Sequence, residues 1–321
     1  MEKPLNLRDP NDSLPIRAAW LHYAAGMTQA QVAARLGVST VKAHRLIASA
    51  NQQGAVRITV TGEIVECLEL EERICDVFAL DECKVVPDLH EAGLPVKALG
   101  VAGSSYIQQE VEKEEPRLIG IGHGRTLAAA VSALPVVPAT NTRFVSLMGG
   151  LTRNYAANPH DVMHRLTEKT AAEVYVMPVP FFANSAEDRE ILLAQRGVRE
   201  VFDLAANADL FLVGIGTARP DAQLVASRMI ELEEIAEVQD KGGVGEILGH
   251  FFNRDGQPVR TSLSARTLAP DFDVISRRRA VAIAGGAGKE QAILSILRSG
   301  LLSGLITEEK TAHALLRTNA E

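Results

Sequence analysis

Glycines and basic side chains follow four short apolar runs of the sequence. Glycines let backbone N–H groups approach an anion closely, and a helix that begins after such a loop adds the positive end of its dipole. Arg125, Arg153 and Lys289 lie in or just after three of the loops and add cationic donors. The loops therefore predict a site for a small anion, most simply a sugar phosphate. They span residues 120–126, 149–153, 214–217 and 284–289.

A nucleotide is not the predicted ligand of these loops. The spacing of Gly120, Gly122 and Gly124 lacks the dinucleotide-binding fingerprint, and no G-x-x-x-x-G-K-[ST] motif occurs in the chain. Each loop taken alone is equally well explained as a tight turn between a strand and a helix. Four such loops in one chain favour a binding crevice.

A second set of donor side chains lies in the first sixty residues. Residues 1–60 contain seven Lys or Arg and three acids, a net charge of +4, whereas the rest of the chain carries −11. No Asp or Glu occurs in residues 13–60. Because phosphates repel carboxylates, this composition favours a polyanion such as DNA as the partner. The alternative is a small Ala-rich helical bundle with no role in DNA binding.

Three helices and a strand must position these donors. Apolar spacing and capping residues predict helices at 16–25, 29–36 and 40–52, followed by a strand at 55–60. Thr28 with Gln31 forms a capping box for the second helix, and Ser39 caps the third. This order is that of a winged helix-turn-helix, whose third helix reads DNA. The residues predicted to bind DNA are Thr28, Gln29, Ser39, Thr40, Lys42, His44, Arg45 and, on the wing, Arg57.

Apolar periodicity also predicts which helix faces are buried. In the first helix the candidates for burial are Ala18, Ala19, Leu21 and Tyr23. Residues 63–79 predict a helix that links two domains. Its predicted apolar side consists of Val65, Leu68, Ile74 and Phe78.

The remainder of the chain alternates short buried strands, glycine loops and helices. Short continuous apolar runs between helices are typical of parallel strands that are covered on both faces. The predicted fold class is α/β, with an N-terminal winged helix-turn-helix domain at 1–60 and a larger doubly wound parallel-sheet domain at 61–321. Such sheets bind ligands at the carboxyl ends of their strands, so the four glycine loops are expected to meet in one crevice. Strands are predicted at 117–121, 144–148, 173–177, 209–213 and 280–283, and helices at 127–134 and 290–298.

Composition excludes several other classes of protein. The chain has 321 residues, of which 46% are hydrophobic and 23% charged, as in globular proteins of two domains. No apolar run is long enough to span a membrane, and the first residues do not have the pattern of a signal peptide. Three cysteines without a C-x-x-C motif predict reduced thiols and a cytoplasmic protein.

No metal, cofactor or catalytic residue is predicted. His160 and His164 have a spacing that can bind a metal on a helix, but no third ligand is evident, and a solvated helix face is the preferred interpretation. The acids Glu187, Asp203 and Asp209 have no partner that would make them a general base.

Several of these segments resemble the SorC family of sugar-binding transcriptional regulators over nearly the full length of the chain. The N-terminal reader at 28–39 and the loop at 120–126 are similar to those of the family, as are Asn158-Pro159 and residues 209–216. The run 242–247 with Phe251-Phe252 and Asp255-Gly256 is similar too. The most specific similarity is at the end of the chain, in Ala284-Gly285-Gly286, Lys289, Ala292-Ile293, Leu297, Gly300-Leu301 and residues 305–312.

The resemblance implies an effector domain related in fold to phosphosugar isomerases and deaminases. It implies a protein that senses a sugar, polyol or sugar phosphate and binds operator DNA as a homodimer or homotetramer. In its own glycine-rich turn, Glu246 would accept hydrogen bonds from sugar hydroxyls. The residues implied to line the effector pocket are Gly122, His123, Gly124, Arg125, Thr126, Thr152, Arg153, Glu246 and Lys289.

The sequence departs from the family pattern at three places. Many members have Asp where this chain has Glu246, and a larger aromatic residue where it has His123. The third helix reads Val41-Lys42-Ala43-His44-Arg45 where many members read Pro-Thr-Val-Ser-Arg, and in this respect it resembles regulators of erythritol catabolism within the family.

The sequence thus predicts a DNA-binding transcriptional regulator, more specifically a repressor, of a carbohydrate or polyol catabolic operon. The alternative is an enzyme of the phosphosugar isomerase or deaminase type with an accessory N-terminal domain. The predicted N-terminal DNA-binding domain favours regulation. An isomerase would also need a positioned base, and no residue of the sequence qualifies as one.

Overall fold

The computed structural model describes residues 13–53, 55–56, 64–152, 156, 158 and 160–320. The chain divides into two units, residues 1–62 and residues 63–321. Among the described residues, no helix has both the length and the apolar character that crossing a membrane requires.

The first unit is helical. Helix α1 (Leu14–Ala19) continues into a π-helical turn, Trp20–Ala24, and α2 (Gln29–Leu36) and α3 (Thr40–Gln52) follow. The predicted bounds of α2 and α3 agree with the structure. The predicted wing strand at 55–60, with Arg57, lies outside the described residues, except for Ala55 and Val56, which belong to no strand.

Local capping explains these helix bounds. The Thr28 hydroxyl accepts the N–H of Gln31, and the Gln31 side chain accepts the N–H of Thr28, so the capping box is formed. Gly37 ends α2 with φ +67°, a conformation that favours glycine. The Ser39 hydroxyl accepts the N–H of Lys42 at the start of α3.

The small core of this unit differs from the prediction at Tyr23. Ala18, Val32, Ala43 and Ile47 are buried against one another, but Tyr23 is 40% exposed. The π-helical turn, closed by the Ala25 N–H on the Trp20 carbonyl, uses i→i+5 bonds and rotates Tyr23 away from the core face.

In the second unit, seven parallel strands of the described residues form one sheet, which confirms the predicted α/β class. Their order is β1-β11-β10-β5-β2-β3-β4, so the order reverses between β5 and β2. The crevice at such a reversal is where open α/β sheets bind ligands. The strands are β1 (Glu82–Val86), β2 (Arg117–Ile121), β3 (Thr142–Ser146), β4 (Val174–Tyr175), β5 (Leu210–Val213), β10 (Arg279–Ile283) and β11 (Gly304–Glu308).

Helices cover both faces of this sheet. Ile119 and Ile121 point into one core, whereas Leu118, the residue before Ile119, points into the other. This burial on both faces is the reason the strands read as continuous apolar runs. The helices are α4 (Val65–Phe78), α5 (Val96–Val111), α6 (Arg125–Ala133), α7 (Met163–Thr170), α8 (Ala186–Ala194), α9 (Arg196–Ala206), α10 (Gln223–Ala226), α11 (Leu232–Asp240), α12 (Phe272–Ile275), α13 (Glu290–Arg298) and α14 (Glu309–Ala320).

The buried face of α4 agrees with the predicted one at Ile74 and differs from it at Val65. Cys67, Leu70 and Ile74 are buried, at a spacing that faces β1 and α14, whereas Val65 is 63% exposed. Val65 lies two residues before Cys67, about 200° around the helix, and therefore points to the opposite side.

A second, antiparallel sheet was not predicted. It has the strand order β6 (Gly216–Thr217), β7 (Gly243–Ile247), β8 (His250–Asn253) and β9 (Pro258–Val259). Glu246 therefore lies on a strand, which corrects its predicted place in a turn. The glycines around it, Gly243 and Gly245, do not form a turn but allow neighbouring segments to pack closely. A Cβ on Gly245 would lie 2.7 Å from the Ala292 carbonyl oxygen of α13.

Candidate functional site

A cavity of about 310 Å³ opens at the carboxyl ends of the central strands. The loops after β2, β5 and β10 line it, together with β7 of the small sheet. It therefore lies at the point where the strand order reverses between β2 and β5. Of the predicted effector residues, the structure brings together Gly122, His123, Gly124, Arg125, Thr126, Glu246 and Lys289.

The loop between β2 and α6 forms one wall of the cavity. Gly124 has φ +138°, which a residue with a side chain rarely adopts, and α6 begins directly after it. The first N–H groups of α6 have no partners within the helix and point toward its N-terminal end. The Thr126 hydroxyl donates to the Ile283 carbonyl oxygen at 2.9 Å and thereby fixes this loop against β10.

Basic side chains gather around this loop. Arg125 is exposed and makes no hydrogen bond or ion pair with another described residue. Lys289 is the residue before α13, and its ammonium group donates to the Ile215 carbonyl oxygen. Burial, and then the nearby Arg125 charge, lower the pKa of Lys289 to about 8. Partial burial and Arg125 also lower the pKa of His160, which lines the same cavity.

Glu246 provides the acidic side of the cavity. Its residue exposure is 8%, and its Oε1 accepts the N–H of Gly249 at 2.6 Å. Its Oε2 lies over Gly216, where an added Cβ would be only 2.2 Å away. Burial raises the pKa of Glu246 to about 7, although the Gly249 N–H and the Lys289 charge act in the opposite direction.

His123 is held from both ring nitrogens. Its Nδ1 lies 3.0 Å from the Asn158 amide nitrogen, and its Nε2 lies 3.2 Å from the Ser146 hydroxyl. Because the Ser146 hydroxyl donates to the Met148 carbonyl oxygen, Nε2 carries the proton and Nδ1 accepts from Asn158. Burial lowers the pKa of His123, so the ring is neutral. The side chain is only 1% exposed, although His123 is among the residues that line the cavity.

Of the predicted glycine loop after β3, the described residues 149–152 are not among those that line the cavity. A Cβ on Gly149 would lie 2.2 Å from the Pro180 carbonyl oxygen, so this glycine permits close packing. The Thr152 hydroxyl accepts the N–H of Ala156, a local turn contact, and Thr152 is not among the lining residues. Arg153 lies outside the described residues.

Several lining residues were not identified from the sequence. Arg219 and Asp221 pair at the cavity wall, and Arg219 also reaches the Gly288 carbonyl oxygen. Among the lining residues that were not predicted, only Asn158 had a sequence signal, since Asn158-Pro159 resembles the family. The other residues come from separate segments that show no local pattern. An apolar wall is formed by Leu94, Met148, Phe181, Leu224, Met229 and Leu248.

His160 and His164 do not share a helix, which corrects that expectation. His160 lies in a turn before α7, whereas the His164 ring, on α7, is 92% exposed. Within the described ranges, no group of three potential ligands is placed to hold a metal ion.

The first unit exposes its predicted donors on α3. Thr40, Lys42, His44 and Arg45 are all exposed in the first half of the helix, while Ala43 is buried. No hydrogen bond or ion pair joins the Lys42, His44 or Arg45 side chains to other described residues. The hydroxyls of Thr28 and Ser39 cap helices, and Gln29 is half-buried.

Known proteins with similar sequences and structures are regulators. The family model described as "Putative sugar-binding domain" matches residues 62–317. The chain is 58% identical over 310 residues to the erythritol catabolism regulatory protein EryD of Brucella abortus (strain 2308), covering 97% of this chain and 98% of that protein. It is 32% identical over 311 residues to the transcriptional regulator LsrR of Enterobacter sp. (strain 638), covering 95% and 93%.

Among solved structures, the full-length sorbitol operon regulator SorC from Klebsiella pneumoniae is similar. The TM-score is 0.69 with 26% sequence identity, over 96% of this chain and 100% of that chain. These relatives are regulators rather than enzymes, which confirms the regulatory prediction and shows that the isomerase alternative is wrong. The chain therefore belongs to the SorC-like family of transcriptional regulators with a sugar-binding domain.

Proposed function

We propose that this protein represses a polyol or sugar catabolic operon and is controlled by a small phosphorylated polyol or sugar that binds in the cavity. The observation that carries the proposal is the division of the cavity into a basic side, around Arg125 and Lys289, and an acidic side at Glu246.

The basic side is suited to a phosphate group. The first turn of α6, after Gly124, offers backbone N–H groups and the positive end of the helix dipole. Arg125 is unpaired among the described residues, and Lys289 lies close enough for the two charges to interact. A phosphate would relieve this repulsion between like charges, which an uncharged ligand would not do.

The acidic side is suited to hydroxyl groups. Glu246 presents Oε2 to the cavity, and the hydroxyl of Thr217 and the amide of Gln223 also line it. Ligand pockets of proteins usually have volumes of about 300–1,000 Å³, so a cavity of about 310 Å³ favours a short-chain ligand. A four-carbon polyol phosphate fits this size, and the name of the EryD relative points to the same class of compound.

The first unit supports DNA binding. Its described residues contain no carboxylate side chain, and α3 exposes Lys42, His44 and Arg45 without partners among those residues. Cations and donors at the start of a helix are suited to phosphates and to guanine edges in the major groove. A protein that binds operator DNA works in the cytoplasm.

The effector would act by changing how two readers are held. Helix-turn-helix proteins bind two half-sites as symmetric dimers, so we propose a homodimer or homotetramer. Effector binding would shift a pre-existing balance between assemblies with different half-site spacing.

Fluorescence anisotropy tests this proposal. The probe is DNA from upstream of the protein's own gene and neighbouring operons, at two salt concentrations, with and without erythritol, erythritol 4-phosphate and other sugar phosphates. We expect tight, salt-sensitive binding to one fragment that one ligand changes. Binding no tighter than to random DNA, or no response to any ligand, would overturn the proposal.

A further inference from the structure

Glu246 is the one acidic side chain of the described cavity lining that is buried. Asp221, the other carboxylate among those lining residues, is exposed and paired with Arg219. No basic side chain of a described residue lies within 4.0 Å of the Glu246 carboxylate, since the Lys289 ammonium group donates to the Ile215 carbonyl oxygen instead. An ionised carboxylate in this position would be buried without a close counter-ion, which is costly.

One oxygen of this carboxyl group is already occupied. Oε1 accepts the N–H of Gly249, which has φ +80° in the tight turn between β7 and β8. This turn cannot easily move, because a Cβ on Gly249 would lie 2.7 Å from the Thr267 side chain and 3.0 Å from the Phe181 ring. The donor to Oε1 is therefore fixed by packing.

The other oxygen is free to meet a ligand. Oε2 lies over Gly216 of β6, and only the absence of a side chain there leaves room for it. No hydrogen bond joins Oε2 to a described residue. A carboxyl group with one oxygen accepting from the backbone and the other facing the cavity can carry its proton on the second oxygen.

We propose that Glu246 holds the effector as a neutral carboxylic acid, with Oε1 accepting the Gly249 N–H and a protonated Oε2 donating a hydrogen bond to an oxygen of the effector. This inference rests on the proposed function of the cavity as the effector site. The recognised group is then an uncharged oxygen, such as a polyol hydroxyl or a sugar carbonyl, and an ammonium group in its place is disfavoured.

The surroundings of Glu246 support this protonation state. Burial raises its pKa to about 7, against weaker lowering by the Gly249 N–H and by Lys289 at the start of α13. His250, on the neighbouring strand β8, is neutral because burial lowers its pKa, and β6 carries no charged residue. Arg125, Arg219 and Asp221 lie elsewhere on the cavity wall and do not shift the pKa of Glu246.

A measurable consequence is proton uptake on binding. Close to neutral pH the carboxyl group is partly ionised, and an effector that accepts from Oε2 binds only the protonated form. Effector affinity therefore falls as the pH rises above about 7, and binding at about pH 7.5 takes up about 0.8 proton.

The first experiment follows the carboxyl group without any ligand. In the full-length protein labelled with ¹³C at the glutamate carboxyl carbon, the resonance lost in Glu246→Gln identifies Glu246. We expect its titration midpoint near pH 7, and a midpoint below about pH 5, in the ordinary range of glutamate, would overturn the proposal.

The second experiment measures proton uptake by titration calorimetry with erythritol and erythritol 4-phosphate in two buffers of different ionisation enthalpy. Protons taken up by a phosphate group or by His160 occur in wild type and Glu246→Gln alike, so the difference reports Glu246 and the Lys289 charge that interacts with it. We expect the variant to lose the uptake of about 0.8 proton and to keep its affinity within about 3-fold, because Gln can still donate. Glu237→Gln, a substitution outside the cavity, should behave as wild type.

The outcomes are distinguishable. If a compound binds with equal proton uptake in wild type and Glu246→Gln, or if Glu246→Gln weakens its binding more than about 10-fold, the carboxylate form binds and the inference is wrong. If neither compound binds, the proposed function of the cavity fails and the donor role fails with it.

Discussion

Single glycines decide where the polar side chains of the cavity can lie. Gly216 leaves space for the Glu246 carboxyl group, and a Cβ there would meet Oε2 at 2.2 Å. Gly214, two residues earlier, has room for a side chain, since its Cβ would meet the Thr126 hydroxyl at an ordinary 3.7 Å. Neither glycine has the positive φ that would by itself strain an alanine.

This pair gives a matched test at the residue scale. Gly216→Ala should lower effector affinity at least about 10-fold, because the methyl group displaces the carboxyl group from the Gly249 N–H. Gly214→Ala should lower it less than about 3-fold. Calorimetric titration of both variants checks this, and equal losses would mean that Glu246 is not the cause.

His123 gives the second prediction at this scale. Its folded-state pKa lies below the ordinary value, so the unfolded chain binds more protons, and this contribution to stability is lost progressively as the pH falls below about 6.5. In a protonated ring, Nδ1 would also carry a hydrogen and could no longer accept the hydrogen bond from the Asn158 amide group. His123→Asn should therefore show a smaller decrease in unfolding free energy than wild type between pH 7 and pH 5.

The control for this prediction is His164→Asn, because the His164 ring is 92% exposed. Denaturant unfolding at several pH values measures the free energies. The comparison between variants matters, since the raised pKa of Glu246 works in the opposite direction, stabilising the protein as the pH falls from about 7 toward 4.5. A His123→Asn slope equal to that of wild type would contradict the buried neutral imidazole.

At the scale of elements, α3 separates residues that hold the first unit together from residues that are free to bind. Ala43, Ile47 and Ala50 are buried at i, i+4 and i+7, and the basic side chains lie between them on the exposed side. The Ser39 cap fixes where this helix starts, and so which residues lie in its exposed first turns.

Arg45 on this helix should be required for operator binding. Arg45→Ala should weaken binding about 10-fold or more and reduce the salt dependence by about one counterion, without changing effector affinity. Arg35→Ala, which removes the same charge from the exposed end of α2, should change operator binding less than about 3-fold. Anisotropy titrations at several salt concentrations decide this, and equal effects would indicate a general charge effect.

At the scale of the whole molecule, regulation requires that effector binding in the cavity and DNA binding by the first unit are thermodynamically coupled. Effector binding and operator binding must then change each other's affinity by the same factor. Typical coupling of 1–3 kcal/mol corresponds to about 5- to 150-fold.

Lys289 should be needed for this coupling but not for DNA binding itself. Lys289→Met should lower affinity for the phosphorylated effector at least about 10-fold, because it removes a buried cation of the basic side. Operator affinity without effector should be unchanged. Lys241→Met, at the exposed end of α11, serves as the control. Parallel anisotropy and calorimetry check this, and a simultaneous loss of both activities would indicate misfolding.

Much of the fold could be predicted because its signals are local. The bounds of α2, α3 and α13 follow from caps and apolar spacing, and the buried strands β2, β5 and β10 from continuous apolar runs. Predictions failed where the decisive contact was distant. Gly149 packs against Pro180, which is distant in sequence. Tyr23 is the exception, because the π-helical turn beside it is a local feature without a sequence signal.

The sequence by itself determined the helices α2, α3 and α13, the central strands, the family and most of the basic side of the cavity, because glycine loops, caps and motifs depend on neighbours along the chain. Only the tertiary structure decided which loops meet. It placed Glu246 on a strand of the small sheet, with its oxygen over Gly216, and brought it into one cavity with Lys289. Burial shifts the pKa values of both groups, and burial arises only when segments distant in sequence exclude water together.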